Sequence, residues 1–191
     1  LQTYTASIDP CLLSGKFLVL HRILSSIRKH TQDRVIIVSN FTSTLNLLQR
    51  YCVRQKFPFL RLDGRTKADV RSKMVNEFNS DSGSDHLGKQ PFVFLLSSKS
   101  GGVGLNLIGA NRLILFDSDW NPATDRQAMA RIHRDGQLKP CFIYRLLLVG
   151  SMDEKIYQRQ ITKIGLSDSL MSNEAAKDHD VASSSLSLIH I

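Results

Sequence analysis

The chain has 191 residues, 42% of them hydrophobic and 22% charged, the balance of one soluble globular domain with a sizeable core. Its formal charge is +8; Lys177 against Asp168, Glu174, Asp178 and Asp180 puts residues 166–191 at −3 and leaves the first 165 at +11. A body so basic points to a polyanion, most often nucleic acid, with a merely solvated basic surface as the alternative.

No apolar run reaches the ~18 residues of a membrane span, so no membrane partner is expected. Cys11, Cys52 and Cys141 have no paired spacing, which argues against a disulfide framework or zinc site and fits a reducing compartment. The six histidines show no metal-ligand spacing, and no metal is assigned. A start at Leu1, without methionine or signal peptide, reads as a fragment.

In chain order, Phe17, Leu20, Leu24 and Ile27 mark one face of a helix from Lys16 to His30. Arg34 to Ser39 is a short β-branched run with the signature of a strand buried on both sides. Thr42 is the expected N-cap of a helix to about Lys56 with Leu45, Leu48 and Cys52 inward. A strand over Phe59–Leu62 turns at Asp63-Gly64, and a helix opens at Thr66, paired with Asp69 as a capping-box variant. Residues 80–90 form a polar surface loop. Further strands are expected over Phe92–Ser97, Arg112–Asp117 and Cys141–Val149, and a last helix over about Met152–Lys163. Strands alternating with helices, each mostly apolar, predict a mainly parallel sheet covered on both faces, with ligands beyond the strands' carboxyl ends.

The chemistry concentrates between Phe94 and Gln137. Asn121-Pro122 supplies an N-cap and a first-turn proline, and Gly136 a C-terminal stop. On that helix Gln127, Arg131 and Arg134 fall at i, i+4 and i+7, on one face. Two forked, permanently charged guanidiniums suit a phosphate chain, against the alternative of a solvated basic face. Ser100-Gly101-Gly102-Val103-Gly104 follows a strand and reads either as an anion-binding nest or as a tight turn, with Asn106 beside it to bond a ribose or hold the loop. Gly83 to Lys89 fits a P-loop spacing but is followed by Gln90 and a strand, where Ser/Thr and a helix belong. Gly102-Val103-Gly104 runs into Leu-Asn-Leu, which fails a dinucleotide fingerprint. The arginines of a triphosphate site are present and its cradle is not.

Five blocks in order carry a resemblance: Ser14-Gly15-Lys16-Phe17, Arg61 to Thr66, Ser100 to Leu107, Asp117 to Pro122, and Gln127 to Gln137. Over Ser14–Gly165 the chain resembles the second RecA-like lobe of Swi/Snf-family ATPases in helicase superfamily two, a three-layer α/β domain. Arg134-Asp135-Gly136-Gln137, Phe142 to Arg145 and Glu154 to Gln160 resemble its recombination-repair branch, the Rad-fifty-four group, with Lys139-Pro140-Cys141 nearer the B-type paralogue.

The resemblance implies that Arg131 and Arg134 are arginine fingers, opened by Gln127, toward ATP and Mg²⁺ held mainly by an absent first lobe. It implies that Gly102, Gly104 and Asn106 couple nucleotide to DNA. It places Asn40, Phe41, Thr42, Ser98 and Lys99 along the DNA backbone. Arg65 stands where relatives carry a small or uncharged residue, and reads as a surface arginine or an added phosphate contact. The implied protein is a nuclear, DNA-dependent ATPase that translocates on double-stranded DNA in homologous recombination. Its partners would be the N-terminal lobe and a recombinase filament.

A non-catalytic DNA- or recombinase-binding module, a chromatin remodeller lobe and a strand-separating helicase stay open as alternatives. Trp120 is read as packing, and Lys155, Arg159 and Lys163 as a solvated helix face. The expected division is an upstream linker over 1–13, the lobe over 14–165 and a disordered tail over 166–191. Alone, the chain is not expected to turn over ATP.

Overall fold

A computed structural model describes residues 14–80, 90–100 and 105–175, with side chains through residue 165. The predicted linker 1–13, most of the polar loop, Gly102 and Gly104, and the last sixteen residues of the tail lie outside the described residues.

Five strands, β1 (Val35–Ser39), β2 (Phe59–Leu62), β3 (Val93–Ser97), β4 (Arg112–Leu115) and β5 (Phe142–Arg145), form one sheet in the order β2-β3-β1-β4-β5. Every neighbouring pair is parallel, with Val35 opposite both Val93 and Arg112, and Arg112 opposite Phe142. The expected parallel α/β architecture is the one observed. Strands β1 and β3 are buried at every position, as continuous apolar runs require in a sheet covered on both faces.

Alternation divides the core. Val35 and Ile37 point to one layer with α1 (Gly15–His30) and α2 (Thr42–Arg54), through Phe17, Leu20, Leu24, Leu45 and Leu48. Ile36 and Val38 point to the other, with α3 (Ala68–Asn79) and α4 (Pro122–Met129), through Phe78, Ala128 and Ile132. Each fully buried large aliphatic or aromatic side chain contributes roughly 1.5–3 kcal/mol. Packing of this kind holds α1, whose N-cap Ser14 makes no side-chain cap bond.

Chain order sets where a site can form. From β1 the chain leaves toward β2, and from β4 toward β5, so the connections part between these adjacent strands. Here the switch point is closed from within, because Ser39 Oγ donates to Asp117 and Asn40 Nδ2 reaches the Asp117 carbonyl at 3.4 Å.

Several expected boundaries change. β5 ends at Arg145 rather than Val149, and β4 at Leu115 rather than Asp117. The N-cap position of α2 belongs to Phe41, and Thr42 is the first helical residue. α3 starts at Ala68 after Lys67, because the Thr66 hydroxyl accepts from the Asp63 N–H at 3.2 Å within the preceding turn. α4 stops at Met129. The final helix, α5 (Met152–Ala175), runs past Lys163, since Gly165 alone costs only about 1 kcal/mol and no proline follows. Among the described residues no helix is long and apolar enough to cross a membrane.

Candidate functional site

Three adjacent strands, β2, β3 and β1, end on one edge and bring together every residue expected to lie along DNA. After β2, Asp63 accepts from the Arg65 N–H at 3.0 Å and from Arg61 Nε at 3.1 Å. The Arg65 N–H, followed by the Arg61 bond and the two arginine charges, holds that carboxyl below its usual range against the opposing effect of burial. The Arg65 side chain is left exposed. Arg71 then reaches across to the Ser100 carbonyl at 3.2 Å, fixing the end of β3 beside this turn.

After β3, Ser98 Oγ donates to Asn40 Oδ1 and the Ser98 N–H to the Ser39 carbonyl at 3.1 Å. Asn40 and Ser98 therefore bond each other and set the edge, while Lys99, Phe41 and Thr42 face out, Phe41 at 58% exposure. With no side-chain cap on α2, its first N–H groups are available to an anion.

Lys16 closes the other half of this edge. Its Nζ donates to the Phe116 carbonyl at 2.9 Å and pairs with Asp153 at 2.6 Å. Burial pushes the Asp117 carboxyl up, and the Ser39 bond and the Lys16 charge only partly offset it.

The arginine pair is elsewhere. α4 begins beyond the carboxyl end of β4 and returns toward the amino end of β5, so Arg131 and Arg134 lie in the second half of that return, on the α3/α4 side of the sheet. Neither shares a continuous helix face with Gln127. The Leu107 N–H donates to the Arg131 carbonyl at 3.1 Å, and Gln137 Nε2 donates to the Ile132 carbonyl at 3.2 Å. These donors from outside the helix take carbonyls that a further α-turn would have used. The chain instead tightens into three-residue turns, Arg131 N–H to Ala128 and Ile132 N–H to Met129, both 3.3 Å.

Arg131 ends 7% exposed while Arg134 and Gln127 lie in solvent. Burial, and then the neighbouring Arg134 charge, pull Arg131 below the usual arginine pKa, yet a guanidinium remains charged. A buried cation beside a second cation is an arrangement that an anion relieves.

Asn106 stands next to this turn. Its carbonyl accepts from Asn79 Nδ2 at 2.7 Å, and its Oδ1 is buried without a hydrogen-bond donor among the described residues. The same Asn79 accepts from the Gly109 N–H at 2.9 Å. A Cβ on Gly109 would lie 2.3 Å from the Phe78 carbonyl, so only glycine permits this approach.

Over residues 15–136 the sequence matches the helicase conserved C-terminal domain. The chain belongs to that family. It is 51% identical over 175 residues to the DNA repair and recombination protein RAD54 of Oryza sativa subsp. japonica, covering 92% of this chain and 17% of that protein. The human DNA repair and recombination protein RAD54-like is 53% identical over 162 residues, 85% of this chain and 21% of its own length. Protein CHROMATIN REMODELING 25 of Arabidopsis thaliana is 54% identical over 154 residues, 81% of this chain and 16% of its length. In structure the chain is similar to the C-terminal part of the Fun30 ATPase domain, with a TM-score of 0.73, 38% identity, 80% of this chain covered and 47% of that one. It thus spans about a fifth of the curated relatives' length. The resemblance to a Swi/Snf C-terminal lobe of the recombination-repair branch holds.

Within this helicase lobe, several residues that hold the site carried no assigned role in the sequence. Gln137 ends the quoted arginine block, and its Nε2 also donates to the Ile108 and Ala110 carbonyls at 3.2 and 2.8 Å, clamping the 105–111 segment to the arginine turn. Asp125, 3% exposed, accepts from Gln160 at 2.9 Å and from Arg145 at 3.1 Å, tying α4 to α5 and β5. Burial raises its pKa despite those two partners. A buried acid and a buried glutamine on two helices were the available signal, but their partnership crosses 35 residues. Trp120 is 47% exposed, with the Arg159 guanidinium 5.5 Å above its ring, rather than packed within the core.

Proposed function

We propose that this lobe is the second half of a nuclear, ATP-dependent motor that translocates on double-stranded DNA in homologous recombination and repair. The observation that carries the reading is the turn of Arg131 and Arg134. One guanidinium is buried and the other exposed beside it; the Arg131 carbonyl is held by the Leu107 N–H of a neighbouring segment, and the Arg134 carbonyl by the Gln137 N–H. A polyphosphate presented by the first lobe meets both charges, and Gln127 opens that surface.

Mg²⁺ and the phosphate cradle belong to the first lobe. Among the described residues no three His, Cys, Asp or Glu side chains gather in one place. Bound there, ATP supplies the phosphoryl group that passes to water. Arg131 and Arg134 bind the charge that develops on it, and Gln137 keeps their turn in position. Gly102, Gly104 and Asn106 couple nucleotide to DNA in this reading, and of these Asn106 stands next to the arginine turn. At the carboxyl ends of β2, β3 and β1, Arg65, Lys99, Thr42 and the N-terminus of α2 face DNA phosphates, and Asn40 and Ser98 set the spacing between strands. Backbone contact of this kind is independent of sequence, as tracking requires. A recombinase filament is the proposed protein partner, and Lys139-Pro140-Cys141 suits a reading nearer the B-type paralogue.

Arg131→Ala and Arg134→Ala in the full-length protein test the reading. Each is expected to lower DNA-stimulated ATPase turnover by about 10³-fold or more, the range of a lost arginine finger, with DNA binding retained. Undiminished turnover would leave a non-catalytic binding module. The name of the Arabidopsis relative, CHROMATIN REMODELING 25, favours a chromatin remodeller as the second reading; repositioning of nucleosomes by the full-length protein, compared with movement on naked duplex, separates the two.

A further inference from the structure

Between Ser14 and Leu62 the only acid is Asp33, and Arg112 neutralises it at 2.7 Å. The cations at the C-terminal ends of α1 and α2 are exposed, among them Arg28, Lys29, Arg54 and Lys56. The fold gathers these four. The Phe92 ring lies 5.2 Å from the Arg28 guanidinium and 5.4 Å from the Phe57 ring, so the last turn of α1 and the chain just after α2 meet at the amino-terminal edge of the sheet. A cavity of about 650 Å³ opens beside them, lined in part by Arg28, Gln32, Gln90 and Lys139. One cation at each helix end would offset the half charge of the dipole there; here two stand at each.

Lys56 supplies a second, independent sign. It has φ 55°, the left-handed region, and it closes α2 with Lys56 N–H to Val53 at 3.1 Å and Phe57 N–H to Cys52 at 2.9 Å. Glycine is the residue that suits this closing position, and a side chain there is strained. A lysine held in that conformation keeps a charge at a conformational cost, as sites of contact do.

We propose that this amino-terminal edge is a second phosphate-binding face, made by Arg28, Lys29, Arg54 and Lys56, that takes a nucleic-acid duplex other than the one on the carboxyl edge. The five residues of β1 hold the two edges roughly 16 Å apart. The inference rests on the motor reading for the first duplex only; binding here needs neither ATP nor the arginine pair.

The test is capture of a labelled duplex by full-length protein already bound to an immobilised one, without nucleotide, over a salt series. Lys29→Glu/Arg54→Glu/Lys56→Glu is expected to reduce capture at least about tenfold and to flatten the log–log salt dependence by about 2 to 3, since each phosphate contact contributes about 0.9. ATPase stimulation by a single duplex should stay within about twofold. Lys56→Gly is expected to raise the melting temperature while weakening capture, a combination that a purely structural lysine would not produce. Unchanged capture overturns the proposal. So does ATPase stimulation falling in step with capture, which would make this one continuous track. Preferential binding of an acidic polypeptide over the duplex overturns it too, by making the face a protein-docking surface. A failure of the motor reading shows separately, as wild-type protein that captures duplex without DNA-stimulated ATPase.

Discussion

Asp117 shows how far a single residue's meaning depends on its surroundings. In the sequence it is one of two aspartates beyond a strand, placed where a ligand is expected. In the fold it is spent on Ser39 and Asn40 across the closed switch point, with its pKa raised by burial. A raised folded-state pKa means that the folded protein takes up the proton first as pH falls. The stability linked to protonation is therefore present in acid and lost as pH rises through the folded value. Asp117→Asn removes the buried charge and keeps an acceptor for Ser39. It is expected to have a higher urea midpoint than wild type at pH 8, with the gap closing as pH approaches the ordinary carboxylate range. A constant gap across that series would mean that burial is not what sets this group. Lys56 follows the same lesson from the backbone side, since its charge is evident in the sequence and its left-handed φ is not.

At the scale of elements, the presence of each strand was legible, while helix ends and the carboxyl ends of β4 and β5 were not. An apolar β-branched run such as Arg34–Ser39 has few other ways to bury itself, and β1 differs from it by one residue. The arginine helix was misjudged because nothing in Met129 to Asp135 disfavours helix locally. What stops it is competition for carbonyls by Leu107 and Gln137, from segments that only the fold brings near. Gln137→Ala tests this. Losing two N–H donors shared among three backbone carbonyls, at about 1 kcal/mol net each, is expected to cost roughly 2 kcal/mol. Hydrogen exchange should accelerate at the Leu107 amide, which donates to the Arg131 carbonyl. Exchange that quickens uniformly across the sheet instead would make Gln137 a general stabiliser rather than the clamp of this turn.

For the molecule as a whole, parallel topology divides the functional surface. Strand ends of β2, β3 and β1 gather the residues proposed to face DNA. The β4-to-β5 return carries the arginines to the α3/α4 side, and the amino edge carries Arg28, Lys29, Arg54 and Lys56. One lobe thus presents the arginine turn, and the phosphate cradle is proposed to lie on the other. The isolated 191-residue chain is expected to show no ATPase activity with or without DNA, and activity should return when the first lobe is supplied on the same polypeptide. Turnover by the chain alone would end the two-lobe account.

The sequence by itself determined the parallel α/β class, the buried strands and the family, because apolar alternation and ordered motif blocks are local properties of the chain. It also identified the cations, whose identity does not depend on folding. Tertiary structure decided where those cations stand: that Arg131 is buried beside exposed Arg134, that Asn40 and Ser98 bond each other, and that Arg28 and Phe57 meet across Phe92. Each is a contact between segments far apart in the chain, set by strand order and by which donor reaches a carbonyl first, and neither is written in any short window of residues. The stretch from Phe94 to Gln137, continuous in sequence, therefore serves two parts of the fold: its strand β3 ends on the DNA edge, and its arginines lie on the far side of the core.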